Sequence, residues 1–139
     1  MNGQDRELLL QDLCGRLPYG VKIEVTYSKD SGSSLRARLC SEGINTLDTN
    51  ILGIFLQSEI YIKPYLFPLS SMTEEQKREY NSLRNFVPTY HYEYGDIIED
   101  IEYHDNWESI DYLIANHFDF RGLIEKGLAL DATGLNIYV

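Results

Sequence analysis

The chain has 139 residues, of which 43% are hydrophobic and 12% aromatic, and its formal net charge is −10. This length suits a single domain over residues 1–139, and the composition is too apolar for a disordered chain. The excess of acid argues against direct nucleic-acid binding, which needs clustered Lys and Arg to neutralise phosphates.

The first predicted element is a helix from Gln4 to Cys14. Leu9 and Leu13 recur at helical spacing within it. Gly15 is suited to the left-handed position that ends a helix, and Pro18 prevents the helix from resuming. Cys14 lies one turn after a leucine, so we expect it to be a buried small side chain rather than a nucleophile.

Short strands are predicted to follow this helix. Apolar and polar residues alternate over residues 21–27 and again over residues 35–40, with a Gly/Ser-rich loop between them. This pattern predicts a β-hairpin. Further strands are predicted near residues 50–57 and 59–63. Together they indicate a small, bent antiparallel sheet or a partial barrel.

A proline-bracketed segment leads to the second predicted helix. Pro64 and Pro68 delimit an apolar connector that we do not expect to form a central strand. Thr73 and Gln76 have the spacing of a capping box, which predicts a helix that begins there. Its apolar stripe extends to Val87, before the next proline.

A second hairpin and a third helix are predicted next. Residues 90–94 alternate as a strand does, Gly95 and the following aspartate suit a turn, and residues 97–103 form a second strand-like run. A helix is predicted from Trp107 to Phe118. Asp and Glu residues at positions 105 and 108 have the spacing of a capping box.

The tail is predicted to form a short hairpin that turns at Thr133 and Gly134.

Residues 85–120 hold nine carboxylates, no Lys or Arg, and nine of the 17 aromatic residues. Carboxylates interleaved with aromatic side chains can form a surface that binds a basic partner with salt-sensitive association. The alternative is the solvated face of an ordinary fold. The predicted partner-binding residues are Glu93, Asp96, Glu99, Asp100, Glu102, Tyr103, Asp105 and Trp107.

Two arginines form a separate candidate ligand site. Arg36 and Arg38 share one face of the predicted strand 35–40, where two guanidinium groups could hold a phosphate or a carboxylate. The alternative is that both are solvated strand positions that discourage edge pairing.

Known catalytic and metal-binding motifs are missing from the sequence. There is no phosphate-binding loop, dinucleotide fingerprint, nucleophile elbow, HExxH or EF-hand pattern. His91, His104 and His117 are evenly spaced, which has no meaning for coordination, and we expect His104 to be exposed and His117 to pack on a helix face. The two cysteines lack metal-ligand spacing and suit a reducing compartment.

Residues 116–121 combine a histidine, an aspartate, an arginine and two phenylalanines at a predicted helix end. An ion pair between Asp119 and Arg121, beside this aromatic cluster, would be a sufficient structural explanation for these residues. A binding site is the less favoured interpretation.

The N-terminus lacks the features of a signal peptide, and no apolar run approaches the ~18 residues that a membrane helix needs.

Three stretches, at residues 8–25, 62–80 and 116–132, resemble a family of small proteins carried by phages, prophages and mobile elements of Bacteroides-type bacteria. The resemblance implies a phage accessory protein made in a bacterial cytoplasm, and it supplies no catalytic residues. The acidic window lies between the second and third stretches.

The sequence thus predicts an α+β domain with an N-terminal helix, a small antiparallel sheet and two later helices packed on it. The leading functional hypothesis is a non-enzymatic accessory protein that binds a host protein with a basic surface, in its concrete form an inhibitor of host defence. The alternatives are a small-ligand-binding module or small enzyme, and a structural or virion-associated component. We expect no cofactor, no metal and no membrane contact.

Overall fold

The computed structural model describes residues 2–27, 43–57 and 60–138. In these ranges the helices are α1 (Gly3–Arg16), α2 (Thr49–Leu56), α3 (Glu74–Leu83) and α4 (Trp107–Ala115). The strands are β1 (Lys22–Tyr27), β2 (Ile44–Thr46), β3 (Ile60–Pro68), β4 (Asn85–Glu93), β5 (Asp96–His104), β6 (Phe118–Asp119) and β7 (Leu130–Asp131). The predicted α+β class is confirmed.

The main sheet has the order β2-β1-β3-β6, and β7 also pairs with β3. The pairs that β1 makes with β2 and β3 are antiparallel, whereas β6 and β7 run parallel to β3. β4 and β5 form a separate two-stranded sheet. The strands that the structure describes do not close into a barrel.

Helix α1 is longer than predicted. The side chain of Asn2 caps its first turn, and the helix continues through Gly15 to Arg16. Gly20, at φ 68°, takes the left-handed position instead. Cys14 is exposed, so the prediction that it is buried was wrong. The reason is that α1 turns Leu9 and Leu13 inward, and Cys14 lies about 100° around the helix from Leu13.

Residues 49–56 form helix α2, so the strand predicted there was wrong. The carboxylate of Asp48 accepts a hydrogen bond from Ile51 N at 2.8 Å and caps the helix. Ile51, Leu52 and Phe55 are buried, a spacing that fits one helical face. A short apolar run is compatible with either a strand or a helix. The cap at Asp48 favours the helix.

The prediction that the proline-bracketed segment does not form a central strand was also wrong, because this segment is the second half of β3. Pro64 is the last residue of β3 paired with β1, and pairing with β7 begins at Tyr65. Pro64 therefore lies where the neighbouring strand changes. The hydroxyl of Tyr138 spans this junction: it accepts from Lys22 N at 2.7 Å and donates to Tyr65 O at 2.6 Å.

The predicted hairpin of residues 21–27 and 35–40 is only partly described. Its first strand is β1, and the second strand, with Arg36 and Arg38, lies outside the described residues. The tail does turn at Thr133 and Gly134. However, β7 pairs parallel with β3 rather than with a following strand, so the prediction of a C-terminal hairpin was wrong.

The capping box of Thr73 and Gln76 begins α3 as predicted. The helix ends at Leu83, and Val87 and the proline after it lie in β4. Helix α4 begins at Trp107 as predicted, but its cap is the neighbouring pair Asn106 and Ser109, and it ends at Ala115.

Two hydrophobic cores hold these elements together. The larger one joins α1, α2 and the main sheet through buried side chains that include Leu13, Ile23 and Phe55. The smaller one packs α3 and α4 around Leu113 and Phe118. In the described ranges no helix is long and apolar enough to cross a membrane.

A buried ion-pair network joins the first helix to the C-terminal third of the chain. Arg16 is fully buried, and its Nε donates to Asp12 at 2.7 Å while Nη2 donates to Phe118 O at 2.7 Å. The other carboxylate oxygen of Asp12 accepts from Arg121 Nε at 3.1 Å. Asp12 thus has two guanidinium partners, which offset the desolvation of its charge.

Replacement of Asp12 tests this network. Asp12→Ala leaves Arg16 buried without its counter-ion, and removal of one partner of a buried pair costs about 3–5 kcal/mol of unfolding free energy. Glu7→Ala, on the exposed side of the same helix, is the control and should change it by less than about 0.5 kcal/mol. Urea unfolding measures both, and equal midpoints would contradict a stabilising role for the network.

Candidate functional site

The candidate site is the ribbon, defined as β4, β5 and the turn between them. Its nine cross-strand pairs run from Asn85 opposite His104 to Glu93 opposite Asp96. The turn residues Tyr94 and Gly95 both have positive φ, at 53° and 84°, which suits a two-residue hairpin. Neither hydrophobic core includes a ribbon residue. At ~3.3 Å per residue the ribbon is about 30 Å long.

The cross-strand register separates the ribbon into two faces. Opposite residues share a face and successive residues alternate. One face, called the apolar face below, has seven apolar side chains and one carboxylate. Its residues are Phe86, Pro88, Tyr90, Tyr92, Ile97, Glu99, Ile101 and Tyr103. All eight are exposed, including Tyr92 at 79%, so no element of the described chain covers this face.

The other face, called the acidic face, has four carboxylates, from Glu93, Asp96, Asp100 and Glu102. Both ribbon histidines lie there beside an acid. The ring nitrogen Nε2 of His104 lies 3.2 Å from Glu102, and that of His91 lies 3.6 Å from Glu93. Four of the five ribbon carboxylates therefore point away from the aromatic side chains of the two strands, and Glu99 shares their face.

Each outer edge of the ribbon is blocked at one or two backbone positions. Ile101 N donates to the Asp100 carboxylate at 2.9 Å, so it faces outward, and Pro88 opposite is in a pair without ladder hydrogen bonds. Pro88 thus lacks an N–H on the outer edge of β4. On the edge of β5, Arg84 Nη2 donates to Tyr103 O at 2.9 Å. Proline and side-chain caps at these positions oppose strand addition.

Polar contacts fix the base of the ribbon to the body. Asn106 Nδ2 donates to Leu83 O at 2.6 Å and to Asn85 Oδ1 at 3.0 Å. Arg84 lies 3.3 Å from a carboxylate oxygen of Asp105 and over the Tyr80 ring. These contacts join the end of α3 to the start of α4, and the ribbon extends from between them.

The hydroxyl of Tyr80 also donates to Asp105. Burial, and then this hydrogen bond, raise the pKa of Tyr80 to about 12. The hydroxyl therefore stays protonated at neutral pH, and the Asp105 carboxylate stays engaged within the protein.

The predicted partner-binding residues do not form one patch. Four of them, Glu93, Asp96, Asp100 and Glu102, share the acidic face, whereas Glu99 and Tyr103 lie on the apolar face. The remaining two are at the base. Asp105 is engaged as described, and Trp107 is 81% exposed beside a depression of about 410 Å³.

Sequence reasoning missed most of the apolar face. Phe86, Tyr90 and Tyr92 alternate along β4, and Ile97 and Ile101 are four positions apart on β5. This alternation was the available signal. Assigning the two strands to a common face also needs the register, which depends on the turn at Tyr94 and Gly95.

The two charged side chains within residues 116–121 make structural contacts, while Asp119 and Phe120 also line a depression of about 340 Å³. The Asp119 carboxylate accepts from Leu123 N at 2.9 Å and from Ile124 N at 3.0 Å. Its predicted partner, Arg121, pairs with Asp12 instead, so the pairing of residues 119 and 121 was wrong.

His117 lies just after α4 with φ 64°, and its ring stacks on Tyr138 at 3.8 Å between centroids. Its Nδ1 is buried and makes no hydrogen bond within the described part of the chain. Burial, followed by the charges of Arg16 and Lys22, lowers the pKa of His117 to about 4. The ring is therefore neutral at pH 7 and acts as a packed aromatic group.

No group of three or more His, Cys, Asp or Glu side chains suited to a metal ion occurs among the described residues. Depressions of about 420 and 340 Å³ lie on the body, lined among others by Lys126 and by Glu125 respectively. His117 lines neither of these two.

Comparisons of the chain with protein-family models, with curated proteins and with solved structures find no match. The resemblance to phage and prophage proteins stays a prediction.

Ribbon side chains are expected to contribute little to folding. Ile97→Ala should lower the unfolding free energy by less than about 1 kcal/mol, because its side chain is exposed and loses only cross-strand contact. Ile62→Ala, in the larger core and fully buried, should cost about 2–5 kcal/mol. Urea unfolding compares the two, and a similar loss for both would show that the ribbon is packed.

The lowered pKa of His117 predicts a pH dependence. Below about pH 6.5 the unfolded chain takes up a proton that the native ring refuses until about pH 4, so stability falls as pH drops through this window. His117→Asn keeps a side chain that tolerates positive φ and removes the titration. Between about pH 7 and about pH 4.5 the wild type should lose more unfolding free energy than the variant. Urea unfolding at both pH values measures this difference. Equal losses of unfolding free energy in the wild type and in His117→Asn would contradict the expectation.

Proposed function

We propose that this protein is a non-enzymatic binding module that acts through the ribbon on a protein with a basic surface. The observation that carries the proposal is a hairpin of about 30 Å that lies outside both cores and exposes both faces. A hairpin of this kind is marginal in isolation. Contacts between its base and α3 and α4 hold it in place, which gives a partner a preformed surface.

The charge of the ribbon specifies the kind of partner. Residues 85–104 hold five carboxylates and no Lys or Arg. Such a surface attracts a basic protein and repels nucleic acid, whose phosphates it would face without neutralising cations. Association should be fast and weakened by salt, because exposed charges are screened over about 8 Å at physiological ionic strength.

The biological setting of the proposal comes from the resemblance of residues 8–25, 62–80 and 116–132. In that setting the protein is an accessory protein of a phage or mobile element in the cytoplasm of its bacterial host. Its partner is then a host protein, and a nucleic-acid-handling protein of a defence system has the basic surface that the ribbon would bind.

Affinity capture from host lysate tests the proposal. The tagged protein should retain a basic host protein at low salt and release it at high salt. The triple variant Glu99→Gln, Asp100→Asn and Glu102→Gln should lose the captured protein.

The control makes the same change in net charge away from the ribbon. Glu7→Gln, Glu75→Gln and Glu125→Gln replace three exposed carboxylates of the body and should leave capture intact. Equal loss in both triple variants would mean that net charge, rather than the ribbon, drives association. Capture that survives high salt and both sets of substitutions would overturn the proposal.

A further inference from the structure

We propose that the apolar face binds an amphipathic α-helix of the partner, with a Lys or Arg of that helix against Glu99. This inference rests on the proposed binding function and specifies how the partner docks. It follows from three properties of the ribbon: its protected edges, its dimensions and the position of one carboxylate.

Three positions on the edges of the ribbon oppose the simplest alternative, in which the partner adds a third strand. Pro88 removes a donor from the outer edge of β4, Asp100 occupies the outward N–H of Ile101, and Arg84 occupies the outward carbonyl of Tyr103. A partner strand would find these groups already used. The side chains of the apolar face, by contrast, are exposed, and Arg84 contacts this face only at its base, over the Tyr103 ring. Docking is therefore across the face.

The dimensions of the apolar face fit a helix. From the pair of Phe86 and Tyr103 to the pair of Tyr92 and Ile97, the face spans six residue steps, or about 20 Å. A helix rises 1.5 Å per residue, so about 14 residues cover this length. A helix is also about 10–12 Å in diameter with its side chains, enough to lie over both strands. An apolar stripe at positions i, i+3, i+4 and i+7 would meet the aromatic side chains.

The position of Glu99 distinguishes a basic partner from a second copy of this chain. Glu99 is the single carboxylate on the apolar face and has no ion-pair partner among the described residues. Two copies packed face to face would desolvate both Glu99 side chains without a cation, and each chain carries −10. A Lys or Arg on a docked helix instead pairs with Glu99 at a site that the tyrosines partly desolvate.

Two synthetic peptides test this inference on the full chain. The first is a 14-residue capped peptide with leucines at i, i+3, i+4 and i+7 spacing and lysines elsewhere. The second has the same composition, with its leucines distributed around the helix. Isoleucine side chains of the protein carry ¹³C-methyl labels, and Ile97 and Ile98 provide matched reporters, because Ile97 lies on the apolar face and Ile98 on the acidic face.

The expected result is saturable binding of the patterned peptide only. The Ile97 and Ile101 methyl signals should shift and show contacts to leucine methyls, and Ile98 should not. Ile97→Ala should weaken binding about tenfold, since a buried aliphatic side chain is lost, whereas Ile98→Ala should leave it unchanged. Glu99→Gln should weaken binding about threefold or more and flatten its salt dependence.

Several results would overturn the inference. Equal binding of both peptides, or Ile98 shifts as large as those of Ile97, would mean that the lysines bind carboxylates without regard to face. Absence of saturable binding, or sedimentation that shows a dimer abolished by Ile97→Ala, would mean that a helix is not the occupant.

The capture experiment separates this inference from the proposed function. If the wild type and Ile97→Ala capture a host protein equally, the proposed binding function stands, and docking of a helix on the apolar face is contradicted. If the patterned peptide binds but no host protein is captured, docking of a helix on the apolar face stands, and the proposed function is contradicted.

Discussion

The buried pair of Arg16 and Asp12 is the interaction on which the rest of the structure depends. A guanidinium group without solvent must find acceptors, and it finds one on its own helix and one at Phe118, 102 residues away. Arg121 completes the network from the same segment. Helix α1 is thereby fixed against the chain that leaves α4. Because α4 also holds the base of the ribbon, the direction of the ribbon depends on this fixed point.

The molecule combines a packed body with a ribbon that contributes to neither core. In the body, apolar residues of β1 and β3 alternate into the larger core, as in an ordinary half-buried sheet. In the ribbon the same alternation produces an apolar face that nothing described covers. Exposed apolar surface of this extent is typical of an interaction site. Three backbone positions on the edges of the ribbon are blocked or occupied, whereas the side chains of the apolar face are exposed.

The sequence predicted correctly those elements whose caps or alternation involve residues close together in the chain. Helix α3 follows from the capping box of Thr73 and Gln76, and β1 follows from its alternation. Predictions failed where a distant neighbour decides the structure. Pro64 lies in β3 because its neighbouring strand changes there, a fact fixed by β1 and β7 far away in the chain. The strand predicted near residues 50–57 failed for a local reason: this apolar run satisfies either period, and the cap at Asp48 makes residues 49–56 a helix.

The sequence by itself determined the class of fold, the strong acidity of residues 85–104 and the richness of that segment in aromatic residues. Only the tertiary structure decided that four of the five acids lie on the face opposite the aromatic side chains, with Glu99 among those side chains, because face assignment needs the strand register. It also decided that the Asp105 carboxylate pairs with Tyr80 and Arg84 while Trp107 is free on the surface. Composition is a property of the chain alone, whereas exposure depends on which elements pack against each residue, and that is settled by contacts between residues far apart in the sequence.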